Sequence, residues 1–538
     1  MRQRAGMTKL RAFAVMASVA IIAAACGGSD SSSDTAPAPA PAPATGGSDE
    51  APAGPSDETI RIGMPNLAGS GVPWLSVGSP GQYMWSAVFD AMTFIAADGS
   101  VQGALAESWE AVSETEWVFN LRPGVTFQNG EEFNADAVVA TFDILLSEEG
   151  KAQYPAHTNN YPFISEVQKV DDLTVRILTS TPAPLLPNAM AIVYIVPPAY
   201  FAEVGDEGFA TAPVGTGPYK STNWGSDRID LERWDGSYRG VPDYAGVSFL
   251  LLPEPASRLQ ALSSGQVEVI QALQPDQIEQ MEASGYELFI SSRYTMMSLV
   301  LISNRGGPLE DTRVRQALNY AVDKDTIAEE VLQGITQAAF WPTPGVNGHD
   351  PSREPYPYDP DRARELLAEA GYADGFDMTA EVTLGAFPGD RDVYEAVAGY
   401  LADVGVSLEL IEIDFGGTWL PNFTGRDGAD WAGDAFGGSW GSLPTFDGAR
   451  PLTWYASCGW SNEVFCDEEN TETIRQLNAT FDVNERNALL KQALDRQREN
   501  PSAIHLVELV ELWAHAPSVG GFAVPAQSID WNSLEFQG

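Results

Sequence analysis

The sequence predicts an α/β protein that is large enough to form two lobes. Short apolar runs rich in β-branched residues alternate along the chain with segments whose apolar residues recur at helical spacing. Roughly 480 residues follow residue 58, whereas a single hydrophobic core stops growing near ~250–300 residues. We therefore expect the body of the chain to form at least two lobes.

Four strands are predicted from short apolar or alternating runs that are bounded by turn residues. They are Ile60–Met64, Val118–Leu121, Leu173–Leu178 and Val247–Pro253. The last of them is an almost continuous apolar run, which is typical of a strand that is buried on both faces.

Five helices are predicted from apolar residues at helical spacing. The clearest follows Asp359, which can cap the helix, while Pro360 occupies its first position and Gly371 follows its last turn. Two others are expected after Asp311 and after Asp323. The remaining two span 393–404 and 485–498.

The first 25 residues have the features of a secretory signal peptide. Arg2, Arg4, Lys9 and Arg11 make a positive start, and Ala12–Ala25 is an uncharged, mostly apolar run of 14 residues. A helix that crosses a bilayer needs about 20 residues, so this run is too short to span one. We therefore predict a signal peptide over residues 1–25.

The segment Ala23–Gly27 resembles the bacterial lipobox, in which a cysteine receives a lipid and becomes the first mature residue. The resemblance implies that Cys26 is the lipidation site, although Ala23 stands where leucine is usual. An ordinary signal peptide with an incidental cysteine is the alternative. Residues 26–58 are rich in Gly, Ser, Asp, Ala and Pro, a composition that predicts a disordered, partly stiff linker.

The chain is strongly acidic, with 74 acidic and 30 basic residues and a formal net charge of −44. Nucleic acids and anionic membrane surfaces are polyanions, so this charge argues against both as partners. After the signal, no stretch reaches the length of an apolar membrane span. We expect the body to lie outside the membrane and to touch it through the lipid alone.

Cysteine usage predicts a local disulfide. Apart from Cys26, the chain contains only Cys458 and Cys466, which are close in sequence and would pair in an oxidising compartment. A structural zinc site usually takes four ligands, so two cysteines give little support for one. We expect neither a bound metal nor a cofactor.

Four parts of the body occur in an order that one known family shares. They are Leu105–Glu110 with Trp117–Phe127, Pro213–Lys220, Asp311–Asp323 and Tyr358–Tyr372. Together they resemble the family 5 solute-binding proteins of ABC importers, the dipeptide, oligopeptide and nickel-binding type.

The resemblance implies a two-lobed periplasmic-binding-protein-like fold of type II, in the large cluster with an extra subdomain. Residues 59–300 would form lobe I, with the inserted subdomain over about 96–212. Residues 301–510 would form lobe II, and residues 511–538 would return to lobe I. The implied protein is a monomeric, extracytoplasmic lipoprotein that captures a peptide-like or other small polar ligand and delivers it to permease and ATPase subunits.

The resemblance also points to a ligand site near Gly437–Asp447. Peptide-binding relatives have a Trp in this region, followed shortly by an Asp that takes the ligand's ammonium group. Trp440 matches the Trp, but Leu443 occupies the Asp position, and a buried ammonium without a counter-charge loses several kcal/mol. Asp447 could replace the missing carboxylate only if the loop is rebuilt.

Further pocket candidates follow from the resemblance and from side-chain chemistry. Arg391 could donate to a ligand carboxylate, or could instead form a surface ion pair. The aromatic candidates, each with packing in the core as the alternative, are Trp419, Trp74, Tyr83 and Tyr161.

Two shared motifs have structural interpretations. Gly215–Tyr219 is expected to be a turn that uses the permissive backbone of glycine, not a phosphate loop, because Lys220 lacks the preceding glycine. Arg313 and Arg315 are expected to pair with surface carboxylates.

There are two alternative functions on the same scaffold: a secreted hydrolase, and a surface chaperone or adhesin. The chain has four histidines and no His-Glu-x-x-His pair. It has one Gly-x-Ser-x-Gly match, at Gly437–Gly441, but a loop is expected there in place of the strand and helix of a nucleophile elbow. His505 lies in an apolar run and is expected in the core. We therefore predict a binding protein that is not an enzyme.

Overall fold

The computed structural model describes residues 55–75, 80–385, 387–460 and 462–537. The predicted signal peptide, the lipidation site Cys26 and nearly all of the linker lie outside these residues. Among the residues that are described, no helix combines the length and the apolarity that a membrane crossing needs.

The described residues form eighteen strands in chain order. They are β1 (Thr59–Met64), β2 (Thr93–Ile95), β3 (Val101–Gly103), β4 (Ala106–Ser113), β5 (Glu116–Leu121), β6 (Ile164–Asp171), β7 (Thr174–Thr179), β8 (Tyr219–Trp224), β9 (Arg228–Arg233), β10 (Gly246–Leu251), β11 (Val269–Gln271), β12 (Glu287–Leu301), β13 (Phe376–Val382), β14 (Val406–Glu412), β15 (Ala435–Gly441), β16 (Ala503–His515), β17 (Val519–Gly520) and β18 (Glu535–Phe536).

Sixteen α-helices connect these strands within the same described ranges. They are α1 (Gly81–Val88), α2 (Ala135–Leu146), α3 (Glu148–Gln153), α4 (Pro155–Thr158), α5 (Leu186–Ala189), α6 (Pro198–Thr211), α7 (Pro255–Ser263), α8 (Ile278–Ala283), α9 (Thr312–Ala321), α10 (Lys324–Thr326), α11 (Pro360–Glu369), α12 (Asp390–Asp403), α13 (Leu420–Thr424), α14 (Ala449–Tyr455), α15 (Glu468–Ala479) and α16 (Val483–Glu499). The α/β class predicted from the sequence is confirmed.

One ten-stranded sheet runs through the molecule in the order β14-β13-β15-β12-β16-β11-β1-β10-β9-β8. Its centre is the antiparallel pair β12 and β16, whose register extends from Glu287 opposite His515 to Val300 opposite Ala503. Strands β14, β13 and β15 lie beyond β12 and, with the rest of residues 302–502, are called the β15 side. Strands β11, β1, β10, β9 and β8 lie beyond β16 and, with the rest of residues 55–286, are called the β1 side.

The hydrophobic core is divided in the same way as the sheet. One cluster combines side chains from residues 60–269 with side chains from residues 513–534. Two further clusters are built mainly from residues 294–509 and share β12, whose successive side chains face opposite ways. Met297 and Leu299 enter one of these clusters, and Met296 and Val300 enter the other. The lobe boundaries predicted above stay a prediction.

The predicted helix starts agree with the observed caps. Asp311 accepts a hydrogen bond from the amide of Arg313 at 2.8 Å, at the start of α9. Asp359 accepts one from the amide of Arg362 at 2.9 Å, at the start of α11. After Asp323 only the short helix α10 forms, and a π-helical turn over Ile327–Val331 follows it.

The Gly215–Tyr219 turn uses its glycines differently from the prediction. Neither Gly215 nor Gly217 has a positive φ; each instead lies too close to the end of α1 to carry a side chain. A Cβ atom on Gly215 would stand 2.1 Å from the carbonyl oxygen of Val88, and one on Gly217 would stand 2.6 Å from that of Ala87. The amide of Gly217 donates to the Val88 oxygen at 2.9 Å, so the turn holds the end of the helix.

One of the two arginine predictions is wrong. Arg313 forms the expected exposed ion pair with Asp311. Arg315, however, is only 3% exposed and donates to the carbonyl oxygens of Pro501 at 2.8 Å and Leu309 at 2.6 Å. Backbone carbonyls and the side-chain oxygens of Thr312 and Asn500 satisfy its donors in place of a carboxylate. Burial lowers the pKa of this guanidinium to about 10.

The close approach at Gly215 predicts a large loss of stability on adding one methyl group. Gly215→Ala should lower the free energy of unfolding by about 2 kcal/mol or more, because the backbone of α1 would have to move. Gly69→Ala is the control, since a Cβ at Gly69 meets nothing within 4 Å. Urea denaturation of both variants measures the difference, and equal stability would contradict the role of the turn.

Candidate functional site

A cavity of about 530 Å³ lies between the two sides of the sheet. The β1 side contributes the segment from Gln82 in α1 to Ala104 after β3, together with Tyr194 and Arg239. The β15 side contributes the loop from Leu443 to Phe446, and the C-terminal segment Pro525–Asn532 completes the wall. A cavity of this size, mostly apolar with a few polar groups, has the character of a site for a small molecule.

The polar end of the cavity is built around Asp90, directly after α1. Its Oδ2 accepts a hydrogen bond from the hydroxyl of Thr216 at 2.8 Å, and its Oδ1 accepts one from Nη1 of Arg239 at 3.2 Å. Asp90 is buried, and Arg239 supplies its counter-charge. Burial, followed by the charge of Asp90, raises the pKa of Tyr238, so this hydroxyl stays protonated.

The opposite wall is apolar and is attached to a bulge in β12. The hydroxyl of Ser442 donates to the carbonyl oxygen of Tyr294 at 3.0 Å, and the rings of Tyr294 and Phe446 lie 4.9 Å apart. Tyr294, Phe446 and Ala526 all have positive φ angles, of 53°, 51° and 48°. Non-glycine residues rarely adopt this conformation, and such strain tends to concentrate at functional sites.

Two hydrogen bonds outside the sheet also join the β1 side to the β15 side. The side-chain amide of Asn188 donates to the carbonyl oxygen of Thr445 at 2.6 Å. Arg450 on the β15 side donates to the side chain of Asn160 on the other side. These bonds add to the connection that β12 and β16 make between the two sides.

None of the seven predicted ligand-binding residues lines this cavity. The predicted region Gly437–Asp447 contributes Leu443, Pro444 and Phe446 instead. Trp440 is fully buried, with its ring 5.3 Å from that of Tyr455 and 4.6 Å from that of His505. Trp419 donates its indole N–H to the carbonyl oxygen of Gly437 at 2.8 Å.

The other predicted aromatics also have partners inside the protein. Trp74 donates to the carbonyl oxygen of Tyr194 at 3.1 Å, directly behind the cavity wall. Tyr83 donates to the carboxylate of Glu511, and Tyr161 bonds to Nδ1 of His157. A direct role of these side chains in binding stays a prediction.

The two charged candidates form ion pairs of contrasting kinds. Arg391 makes an exposed pair with Glu412 at 3.2 Å, which is the surface alternative. Asp447 is buried, and both of its oxygens accept from Arg486, at 2.6 and 2.8 Å. Asn347 donates to the same carboxylate at 2.7 Å, so Asp447 is held by the protein itself.

Asp90 and Arg239, the charged pair of the cavity, were not predicted from the sequence. No local pattern marks either residue, because the strand pairing and the Thr216 turn bring them together from distant parts of the chain. The shared motif around Thr216 was the available signal, since it contains the hydroxyl that holds Asp90.

Neither a metal cluster nor a nucleophile elbow is formed by the predicted motifs. Cys458 and Cys466 form a disulfide beside Glu463, so their sulfurs are not available as thiolate ligands. The Gly437–Gly441 match lies in strand β15, not in a loop as expected, and Ser439 pairs with Met297 of β12. The next helix, α14, begins only at Ala449.

His157 supports the cavity wall from behind. Its Nε2 bonds to the carbonyl oxygen of Ile192, a wall residue, at 3.0 Å, and Nδ1 accepts from Tyr161. Burial lowers the pKa of His157 to about 4, while the bond to Ile192 acts in the opposite direction. The imidazole is therefore neutral at pH 7 in the folded protein.

Removing Arg486 should destabilise the protein far more than removing Arg391. Arg486→Met leaves Asp447 buried without its counter-charge, which costs about 3–5 kcal/mol of unfolding free energy. Arg391→Met removes an exposed pair and should cost less than about 1 kcal/mol. Urea denaturation compares the two variants, and similar losses would show that Asp447 is not held in this way.

His157 should make folding stability depend on acid. An unfolded histidine takes up a proton near pH 6.5, but folded His157 does so only near pH 4. The contribution of His157 to the free energy of unfolding is therefore fully present above pH 6.5 and decreases as the pH falls towards 4. His157→Gln should reduce the slope of unfolding free energy against pH by up to about 1.4 kcal/mol per unit. An unchanged slope between pH 6.5 and 5 would contradict this assignment.

Comparison with known proteins identifies relatives of this chain. Residues 100–463 match the family model described as bacterial extracellular solute-binding proteins, family 5 Middle. A glutathione-binding protein, GsiB, of Pectobacterium atrosepticum is 29% identical over 325 residues, which cover 59% of this chain and 62% of that protein. Heme-binding protein A of Haemophilus influenzae is 29% identical over 349 residues, with the same two shares. The chain thus spans less than two thirds of the length of these two relatives.

Solved structures show the same architecture. The crystal structure of NikA from Brucella suis in complex with Fe(III)-EDTA is similar with a TM-score of 0.77 and 25% sequence identity, and the match covers 89% of this chain and 100% of that one. This likeness confirms the two-lobed α/β fold predicted from the sequence. The family match covers more than half of the chain and includes all four of the ordered motifs. The chain therefore belongs to family 5 of the bacterial extracellular solute-binding proteins.

Proposed function

We propose that this chain captures a small molecule in the 530 Å³ cavity and delivers it, chemically unchanged, to a permease that is driven by ATPase subunits. The observation that carries the proposal is the position of the cavity. Its walls come from both sides of the sheet, and β12 and β16 are the two central strands that join these sides. A hinge across such strands could open and close the site.

The relatives support capture of a solute but do not agree on one ligand. Their names refer to glutathione in one case and heme in another, and the NikA structure holds Fe(III)-EDTA. In this chain Leu443 forms part of the wall and brings no charge to it. That feature supports a ligand without a free ammonium group at this point of the cavity.

The membrane attachment is proposed from the N-terminal sequence. A signal peptide over residues 1–25 would export the chain, lipidated Cys26 would anchor it, and residues 26–58 would serve as the tether. We further propose that lobe I spans 59–300, lobe II spans 301–510, and the C-terminal residues return to lobe I. The chain would act as a monomer and without catalysis, since Ser439 is part of a strand and lacks the elbow geometry.

Native mass spectrometry tests capture directly. The protein is dialysed free of small molecules, incubated with the low-molecular-weight fraction of yeast extract, and desalted. One retained compound per chain is expected. Ala191→Trp places an indole ring in the cavity and should abolish retention. Ala402→Trp, at an exposed position of α12, should leave retention unchanged. Failure of the wild type to retain any compound, or conversion of the compound to a product, would refute the proposed function.

A further inference from the structure

We propose that Arg239 and Asp530 form a two-charge subsite that binds the zwitterionic head of the captured molecule, with the carboxylate on Arg239 and the ammonium on Asp530. This inference rests on the proposed function and adds the class of ligand. It places charge recognition on the β1 side and the C-terminal segment, opposite the wall that contains Leu443.

The guanidinium of Arg239 has one occupied end and one open edge. All the hydrogen bonds that it makes to described residues use Nη1, which donates to the carbonyl oxygen of Ser86 and to Asp90, both at 3.2 Å. Its Nε and Nη2 have no partner among those residues, and the side chain, which lines the cavity, is 26% exposed. The Nε and Nη2 edge presents two parallel N–H groups, the geometry that grips a carboxylate at both oxygens.

Asp90 prepares Arg239 for this task. It neutralises the guanidinium from one end, and its other oxygen is fixed by the hydroxyl of Thr216. The arginine is therefore oriented before any ligand arrives, so little side-chain freedom is lost on binding. Asp90 itself is buried and already accepts these bonds, so it is not the partner of an incoming ammonium.

Asp530 supplies the opposite charge on the same wall. Among the described residues, its carboxylate accepts a hydrogen bond only from the amide of Asn532, at 3.3 Å, and forms no ion pair. The side chain of Asn532 donates to the carbonyl oxygen of Arg239 at 3.2 Å, so this one residue is bonded to both. Arg239 and Asp530 are thus neighbours that do not pair with each other, and both retain capacity for a ligand.

The charge balance selects a zwitterion over an anion. Asp90, Arg239 and Asp530 together carry one net negative charge. A zwitterionic head leaves this charge unchanged, whereas an anionic head would make the subsite more negative. The rest of the wall, including Phe89, Leu443 and Phe446, is apolar. The subsite therefore points to an amino-acid-like head on an apolar body.

Chemical capping of the ligand mixture tests each charge against its residue. Yeast extract is used untreated, methyl-esterified to remove carboxylates, and acetylated to remove amines, and native mass spectrometry measures retention. Each treatment should lower retention by the wild type at least about tenfold. Arg239→Lys keeps a counter-charge for Asp90 but lacks the double edge, so it should lower retention of the untreated compound with no further loss on esterification. Asp530→Asn should behave in the same way towards acetylation.

A substitution and the matching chemical capping remove the same contact, so their effects on retention should not add. A general loss of structure would lower retention whether or not the ligand is capped. Arg475→Lys and Asp374→Asn, both on exposed surface, are the matched controls and should retain the compound like the wild type. If Arg239→Lys does not fold, the Asp530→Asn arm decides the outcome. Equal retention of capped and untreated compounds by the wild type would overturn this inference alone. Absence of retention from every extract would overturn the proposed function as well.

Discussion

The antiparallel pairing of β12 with β16 is the interaction on which the rest of the structure depends. The β15 side joins the sheet where β15 pairs with β12, and the β1 side joins it where β11 pairs with β16. The ladder is interrupted between Ser292 and Met296, where β12 bulges. Bulges bend a strand and re-aim its side chains. Here the carbonyl oxygen of Tyr294, in the bulge, accepts a hydrogen bond from the hydroxyl of Ser442. This bond positions the loop that contains Leu443 and therefore one wall of the cavity.

The turn around Thr216 sets the position of the other wall. Gly215 and Gly217 lack a Cβ, so the backbone of the turn can contact the end of α1. The hydroxyl of Thr216 donates to the carboxylate of Asp90, which follows that helix. Gln128, which directly follows the first shared segment, donates to the carbonyl oxygens of Val88 and Gly217. It thus joins the end of that segment and the Thr216 turn to α1. The motifs of the β1 side thus position one wall of the site. Those of the β15 side pack α9 on α11, where Asp359 donates its amide to the carbonyl of Tyr320.

Local features of the fold were predictable from the sequence, whereas the site was predictable only in part. The helices after Asp311 and Asp359 were predicted because capping acts over three residues and needs no tertiary contact. Arg315 was misplaced because its burial depends on carbonyls of Pro501, far along the chain. Leu443 was recognised as a departure and does line the cavity. Arg239 carries no local signal, since its partner Asp90 lies 149 positions away.

The part played by residues 525–532 has a consequence for local unfolding. These residues complete the wall of the cavity, yet they belong to none of the ten strands of the main sheet. Segments outside a central sheet detach at a lower free-energy cost than its strands do. A fluctuation that released this segment alone would therefore uncover the pocket while every strand of the sheet stayed paired.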